Sequence, residues 1–339
     1  MKAVGLTRYL PIDDPASLED VELPVPQPEP NDLLVRVEAV AVNPVDAKVR
    51  APKPDVEATP RVLGWDVAGV VVATGTEVEG FAVGDAVYYA GDITRPGGNS
   101  QYARVDARIA ARKPASLDFA EAAALPLTAL TAYEALFERL QLDLGGGHAG
   151  QTLLVIGGAG GVGSLGIQFA RRAGLTVIAT ASRPETTAWV KELGADHVVD
   201  HRQPLRPQIE ALGLQYVDWI ADFADTDPYW EQMVDLVRPQ GRIVTIVDNT
   251  RPLATALAKA KSIGHVWEFM FTRARFRTPD MAEQGRILAE VAGWIDDGSL
   301  RHTLKTRLTP IDAANLREAH RRLESGTAIG KIALSGWSA

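Results

Sequence analysis

The feature that most restricts this chain is a strand–glycine–helix junction near its middle. The apolar run TLLVIGG (152–158) leads into Gly158-Ala159-Gly160-Gly161-Val162-Gly163, and a helical pattern from about Val162 to Ala173 follows, stopping at Gly174. The spacing is G-x-G-x-x-G. Alone it is a weak signal, because glycine is common. Here it follows a strand and opens a helix, which is the context the motif needs. Glycines permit the tight turn and let backbone N–H groups approach a pyrophosphate, whose charge meets the positive end of the helix. A glycine-rich turn that binds nothing is the bland alternative; the context favours a dinucleotide site.

The residues after the loop carry the same reading forward. Short apolar strands at TVIATA (176–181), HVVD (197–200), YVDWIAD (216–222) and GRIVTIV (241–247) alternate with helical stretches such as 185–193, and SIGHVWEFMF (262–271) would be the last strand. Continuous apolar strands separated by helices imply parallel βαβ units, hence an α/β, doubly wound sheet covered on both faces. The tail adds a helix over 312–325 and a final strand, KIALS (331–335).

The first third differs. Six prolines between 11 and 30 exclude a helix or a central strand there. In LLVRVEAVAV, Val35, Val37, Ala39 and Ala41 share one face, which is the period of a half-buried strand ending at Asn43-Pro44. Further strands are expected at 67–75 and after the Gly84-Asp85 turn, giving a small β-rich domain. From Asp118 to Leu140 alanine and leucine recur at helical spacing, broken at Pro126, so two helical segments are expected before a loop at 145–150.

Composition removes several function classes. A length of 339 residues suggests two domains at ~150 residues each. The net charge of −8, with no basic tract, disfavours nucleic acid and anionic membranes as partners. No apolar run approaches the ~18 residues that span a bilayer, and MKAVGLTRYL lacks an apolar signal core, so a cytoplasmic protein is expected. There is no cysteine, which excludes disulfides, thiolate nucleophiles and Cys-ligated metals.

The second strand of the doubly wound region bears on which dinucleotide fits. A site for NAD usually places an acid ~20 residues past the glycines to bond the ribose hydroxyls. This chain has Thr180-Ala181-Ser182-Arg183 there, with no acid until Glu185. A hydroxyl and a guanidinium suit a 2′-phosphate, so NADPH is expected, with Ser182 and Arg183 as its readers. A solvated arginine at a helix start is the weaker alternative.

With VAVNPVDAKVR (40–50), LGWDVAGVV (63–71), GFAVGDAVYY (80–89), LPLTALTAYEAL (125–136), GGAGGVG (157–163) and GKIAL (330–334), the chain resembles the medium-chain dehydrogenase/reductase superfamily over nearly its full length. Within it the match is to the zinc-free quinone oxidoreductase branch, in the subgroup often labelled "zinc-type alcohol dehydrogenase-like". The resemblance implies a GroES-like β-rich catalytic domain at 1–124, rejoined by 272–339, and a Rossmann cofactor domain at 125–271. It also implies an active site in the cleft and a homodimer formed by edge pairing of a strand such as 262–271.

The resemblance also implies site residues. Zinc alcohol dehydrogenases place a Cys ligand three residues before an Asp and a His in Gly-His-Glu; this chain has Asn43 before Asp46, and Gly64-Trp65-Asp66. Two expected ligands are thus an amide and an indole, and no metal is expected. Asn43 and Thr131 match positions that contact the nicotinamide end of the cofactor, and His201 matches an aromatic near the adenosine ribose phosphate. The remaining cofactor candidates are Gly158, Gly160, Gly161, Val162, Gly163 and Ile246. Where some relatives have a tyrosine two residues after the matched Asp, this chain has Lys48, so that tyrosine's role does not carry over.

Without a metal, the chemistry that survives is hydride delivery to an already electrophilic carbon, with the protein positioning substrate and bonding the oxygen that gains charge. An NADPH-dependent quinone or α,β-unsaturated carbonyl reductase is the leading expectation. Asn43, Lys48 and Tyr88 are the candidate donors; Trp65, Thr128 and Phe269 are candidate walls of the substrate cleft. An enoyl-thioester reductase and a non-catalytic NADPH-binding protein are the alternatives.

Overall fold

The computed structural model describes residues 1–338. The chain divides into two compact units. One comprises Met1–Leu130 and the segment from Phe271 onward; the other is Thr131–Met270.

In chain order the first unit contains β1 (Lys2–Tyr9), β2 (Glu19–Glu22), β3 (Asp32–Ala41), α1 (Pro44–Arg50), β4 (Lys53–Val62), β5 (Val67–Thr74), β6 (Ala86–Tyr89), β7 (Tyr102–Asp106), β8 (Ala110–Arg112) and α2 (Phe119–Ala123). Next, α3 (Pro126–Tyr133) carries the chain into the second unit and widens into a π-helical turn, Glu134–Arg139. The second unit follows with β9 (Thr152–Ile156), α4 (Gly161–Arg172), β10 (Thr176–Thr180), α5 (Pro184–Glu192), β11 (His197–Val199), α6 (Leu205–Ala211), β12 (Val217–Asp222), α7 (Thr226–Leu236), β13 (Val237–Thr245), α8 (Thr255–Ala260) and β14 (Gly264–Trp267). The chain then returns to the first unit through α9 (Thr272–Phe276), α10 (Glu283–Asp296), β15 (Leu304–Leu308), α11 (Ala313–Glu324) and β16 (Lys331–Ser335).

The first unit is built on two sheets. A three-stranded sheet has the order β2-β1-β4, and its proline-flanked strand β2 lies at an edge, where a missing N–H is tolerated. The larger sheet runs β15-β16-β3-β5-β6-β8, with β7 also paired to β3. The C-terminal strand β16 lies antiparallel to β3, aligning Ala333 with Ala41. That ladder brings residue 331 next to the start of α1.

The second unit is a six-stranded parallel sheet in the order β11-β10-β9-β12-β13-β14. The order reverses between β9 and β12, the topological switch point outside whose carboxyl ends doubly wound sheets bind ligands. One face is sealed by a core that includes Leu154, Ile178, Ile220, Trp230, Met233 and Ile243. The expected last strand, 262–271, is shorter than its apolar pattern suggests. Thr245↔Trp267 is the final rung because β13 ends at Thr245, and Phe269–Phe271 turns toward α9 instead.

Candidate active site

In the first unit the residues of interest converge on a buried charge cluster. Asn43 caps α1 from an extended conformation, and Pro44 supplies the preset first helical position. The Asp46 carboxylate, at the third helical position, accepts the Asn43 backbone N–H at 2.6 Å. From β16, Lys331 Nζ donates to Val42 O at 2.8 Å, Asn43 Oδ1 at 2.5 Å and Asp66 Oδ2 at 2.8 Å. Asn43 Nδ2 donates to the same Asp66 Oδ2 at 2.8 Å, and the Leu127 N–H donates to Asp66 Oδ1 at 2.7 Å. All four side chains, Asn43, Asp46, Asp66 and Lys331, are buried.

Burial is the largest influence on both carboxyl groups and pushes each up. For Asp66 the Lys331 ammonium and the Asn43 amide oppose it. For Asp46 the Asn43 N–H and Lys331 oppose it while Asp66 adds to it, and its pKa reaches about 7. The cluster therefore holds two acids against one ammonium, and Asp46 takes up the mismatch as a proton near neutrality.

The donor set does not fit zinc. Zinc takes about three N, S or O ligands with free lone pairs. Here Asn43 Oδ1 and Asp66 Oδ2 already face an ammonium, and Trp65 offers an indole N–H that donates to Asp92 O at 3.2 Å. A divalent ion on these acceptors would sit against a fixed positive charge. Among the described residues no three His, Cys, Asp or Glu side chains group closely enough to hold a metal.

Other expected residues are placed differently. Tyr88 is buried and its hydroxyl donates to Leu288 O at 2.6 Å, so it braces α10 and has no proton for a substrate oxygen. Trp65 is also a core residue, edge-on to Phe271 at 6.1 Å between centroids, not an open wall. Thr128 is buried with its hydroxyl donating to Leu125 O at 3.0 Å. Lys48 lies exposed on α1, one turn beyond Asn43. Asp46, Asp66 and Lys331 were missing from the expected set. The available signal was a charge embedded in each of three apolar frames, VNPVD, LGWDVAG and GKIAL, since buried charges require partners.

In the second unit the glycine loop closes at the switch point. The Gly157 N–H donates to Thr180 Oγ1 at 2.9 Å, joining the carboxyl ends of β9 and β10. Gly160 caps α4 with no side-chain acceptor, leaving the first amides of the helix to an outside ligand. A Cβ at Gly163 would meet Gly157 O at 2.2 Å, so the turn itself excludes any larger residue. At Gly160 a Cβ would meet only Gly157 O, at 3.4 Å; the room beside it is open. This is a cradle that fits a pyrophosphate.

Beside it, Ser182 and Arg183 follow β10 as half-buried residues, with Arg183 Nε 3.1 Å from Glu185. His201 follows β11, half-buried; burial first, then the Arg202 and Arg183 charges, hold its pKa below the ordinary value against Asp200. Ile246 is half-buried just past β13, Thr131 is buried in α3, and Phe269 stays 41% exposed.

Two family models match the chain, "Alcohol dehydrogenase GroES-like domain" over residues 29–115 and "Zinc-binding dehydrogenase" over residues 193–334. A zinc-type alcohol dehydrogenase-like protein of Staphylococcus aureus is 39% identical over 99% of this chain and 100% of its own length. The NADPH-dependent alkenal/one oxidoreductase of Arabidopsis thaliana is 30% identical over 91% of this chain and 73% of its own. Among solved structures, a putative zinc-dependent alcohol dehydrogenase from Rhizobium etli superposes with a TM-score of 0.96 at 50% identity, covering 100% of this chain and 99% of the other. The fold, the glycine cradle and this full-length similarity agree: the chain belongs to the zinc-type alcohol dehydrogenase-like proteins of the medium-chain dehydrogenase/reductase superfamily, and it is an oxidoreductase.

Proposed function

We propose that the protein is an NADPH-dependent reductase of quinones or α,β-unsaturated carbonyl compounds that works without a metal. The observation that carries this reading is the Lys331 ammonium bonded to Asn43 Oδ1 and Asp66 Oδ2, the acceptors a metal would otherwise need. Activation of an unreactive alcohol requires a Lewis acid; an enone or quinone is electrophilic already. The Arabidopsis thaliana relative named for NADPH and alkenals or enones supports the same substrate class.

Bound nicotinamide dinucleotide would supply the hydride. The chain's own residues do the rest. The amides of Gly161, Val162 and Gly163 would hold the pyrophosphate, with Gly158 and Gly160 leaving it room. Ser182 and Arg183 would bond the 2′-phosphate, and His201 would hold the ribose beside it. Thr131, Ile246 and Asn43 are the residues that would hold the nicotinamide end. Asn43 and Lys48 are the donors for the oxygen on which charge develops, and the proton returns from solvent.

A homodimer completes the reading. β14 is an edge strand with a partner on one side, and its last residue, Trp267, is 52% exposed. Such an edge invites pairing with a second copy.

The test is NADPH oxidation followed by absorbance with a quinone, an enone and a short enoyl-CoA. Turnover of the first two is expected. Measurable NADPH binding with no turnover of any would replace this reading with a binding protein, and a preference for the thioester with an enoyl-thioester reductase.

A further inference from the structure

The bonds of Lys331 dictate which way the neighbouring amide faces. An ammonium has three donors and no lone pair. All three are used, on Val42 O, Asn43 Oδ1 and Asp66 Oδ2. The Asn43 atom facing Nζ at 2.5 Å must therefore be oxygen, because the flipped amide would set an NH2 group against an NH3⁺ group. Nδ2 consequently faces Asp66 Oδ2, the oxygen that Lys331 also bonds, which accepts one of its two protons at 2.8 Å. The second Nδ2 proton has no acceptor among the described residues.

We propose that Lys331 is a positioning residue for the reduction: its buried ammonium fixes the sense of the Asn43 amide, so that Asn43 offers an N–H rather than a carbonyl to the reacting end of its ligands. This rests on the reductase reading above. The ammonium also polarises the amide. A bond accepted at Oδ1 draws electron density from nitrogen and strengthens the remaining N–H as a donor, by ~10–30% in condensed-phase estimates.

Neutralising Asp66 does not by itself account for the arrangement. Charge pairing fixes only one of the three donors; the other two need acceptors wherever an ammonium is buried, and here they fall on Val42 O and Asn43 Oδ1, so the pair also holds the amide. The Val42 contact adds a second constraint. It ties the ammonium to the backbone residue immediately before Asn43, while the Val42 N–H donates to Ile332 O at 3.1 Å. The amide and its anchor thus move as one piece.

The experiment is a double-mutant cycle on kcat with NADPH and an enone. Lys331 is removed together with its charge partner as D66N/K331M, so that no buried charge is left alone, and Asn43 is removed as N43A. The expected D66N/K331M kcat is about tenfold or more below wild type, with the NADPH Kd within about threefold. The triple variant N43A/D66N/K331M is expected within about twofold of N43A, because the ammonium acts through the amide. Multiplicative losses, or wild-type kcat in D66N/K331M, would overturn the proposal.

Thermal unfolding checks that each variant folds. Should the paired variant not fold, N43D, which swaps the donor for an acceptor and leaves Lys331 in place, decides the question. A loss of kcat supports the assignment and an unchanged kcat overturns it. Absence of turnover by the wild-type protein is a separate result, and it removes the reductase reading itself.

Discussion

Lys331 Nζ and Asp66 Oδ2 lie 2.8 Å apart across 265 residues of sequence, both shielded from water. The contact joins the C-terminal strand β16 to the segment that precedes β5, so it ties the last part of the chain to the first. Removing one partner of a buried pair leaves the other charge uncompensated and costs ~3–5 kcal/mol, whereas removing both costs much less. K331M is therefore expected to lose about that amount in urea denaturation, and D66N/K331M to recover most of it. A K331M loss below about 1 kcal/mol would show that the pair contributes no more than an exposed ion pair does.

Asp222 gives the second unit a pH dependence of known sign. It is buried at the carboxyl end of β12, and burial raises its pKa from 3.8 to about 7, with the Ala224 N–H opposing and Asp225 adding to the rise. Between those values the folded state binds more protons than the unfolded one, so stability falls as pH rises from about 4 to 7 and then levels. The full effect is about 4 kcal/mol at most. D222N keeps an oxygen for the Ala224 N–H and removes the titration. Its stability relative to wild type is expected to climb between pH 5 and pH 8; parallel profiles would count against a raised Asp222.

The glycine loop and parallel sheet were legible because their physics is local. A tight turn needs glycine, a buried parallel strand needs a continuous apolar run, and both are written in adjacent residues. The charge cluster was not, since Asn43, Asp66 and Lys331 come from three distant segments and only the pairing of β3 with β16 and with β5 shows that they meet. Tyr88 was misplaced for the same reason: its partner, the Leu288 carbonyl, is 200 residues away. Helix α10, by contrast, was available. Ile287, Leu288, Val291, Trp294 and Ile295 repeat at helical spacing and all are buried, yet the tail suggested only the helix near residue 312.

Tyr88 offers a direct check on that correction. Y88F removes the hydroxyl that donates to Leu288 O at 2.6 Å, while that carbonyl keeps its place in the hydrogen-bond ladder of α10. The expected cost is ~0.5–1.5 kcal/mol of stability with kcat unchanged. A drop in kcat without a drop in stability would return Tyr88 to the chemistry.

The glycine cradle separates space needed by the fold from space needed by a ligand. Gly163 has no room for a methyl group, so G163A is expected to destabilise the second unit. Gly160 is extended, with a φ of −72° that any residue adopts, and a Cβ there would find only Gly157 O, at 3.4 Å. G160A should therefore fold, at a cost of about 1 kcal/mol or less because alanine is a poorer N-cap than glycine. Its methyl group would nevertheless intrude where a pyrophosphate approaches the backbone, and its NADPH Kd is expected to rise by about tenfold or more. Unchanged affinity in a folded G160A protein would mean that the loop does not hold the dinucleotide.

Arg183 tests the choice of cofactor, and its neighbour sharpens the test. Glu185 stands 3.1 Å from the guanidinium, but both side chains are partly exposed, so their attraction is worth ~1 kcal/mol or less. A 2′-phosphate brings about two negative charges and several acceptors, and outcompetes a single carboxylate for the same donors. Losing a charge-assisted contact of this kind costs ~1.5–3 kcal/mol, which is about ten- to a hundredfold in Kd. R183A is expected to weaken NADPH by that factor and to leave NADH nearly unchanged. E185Q removes a like charge from beside the phosphate, so it should tighten NADPH about twofold at low ionic strength and less in high salt. Titrations of both dinucleotides against both variants decide it: equal losses for NADPH and NADH in R183A would show that Arg183 does not read the 2′-phosphate.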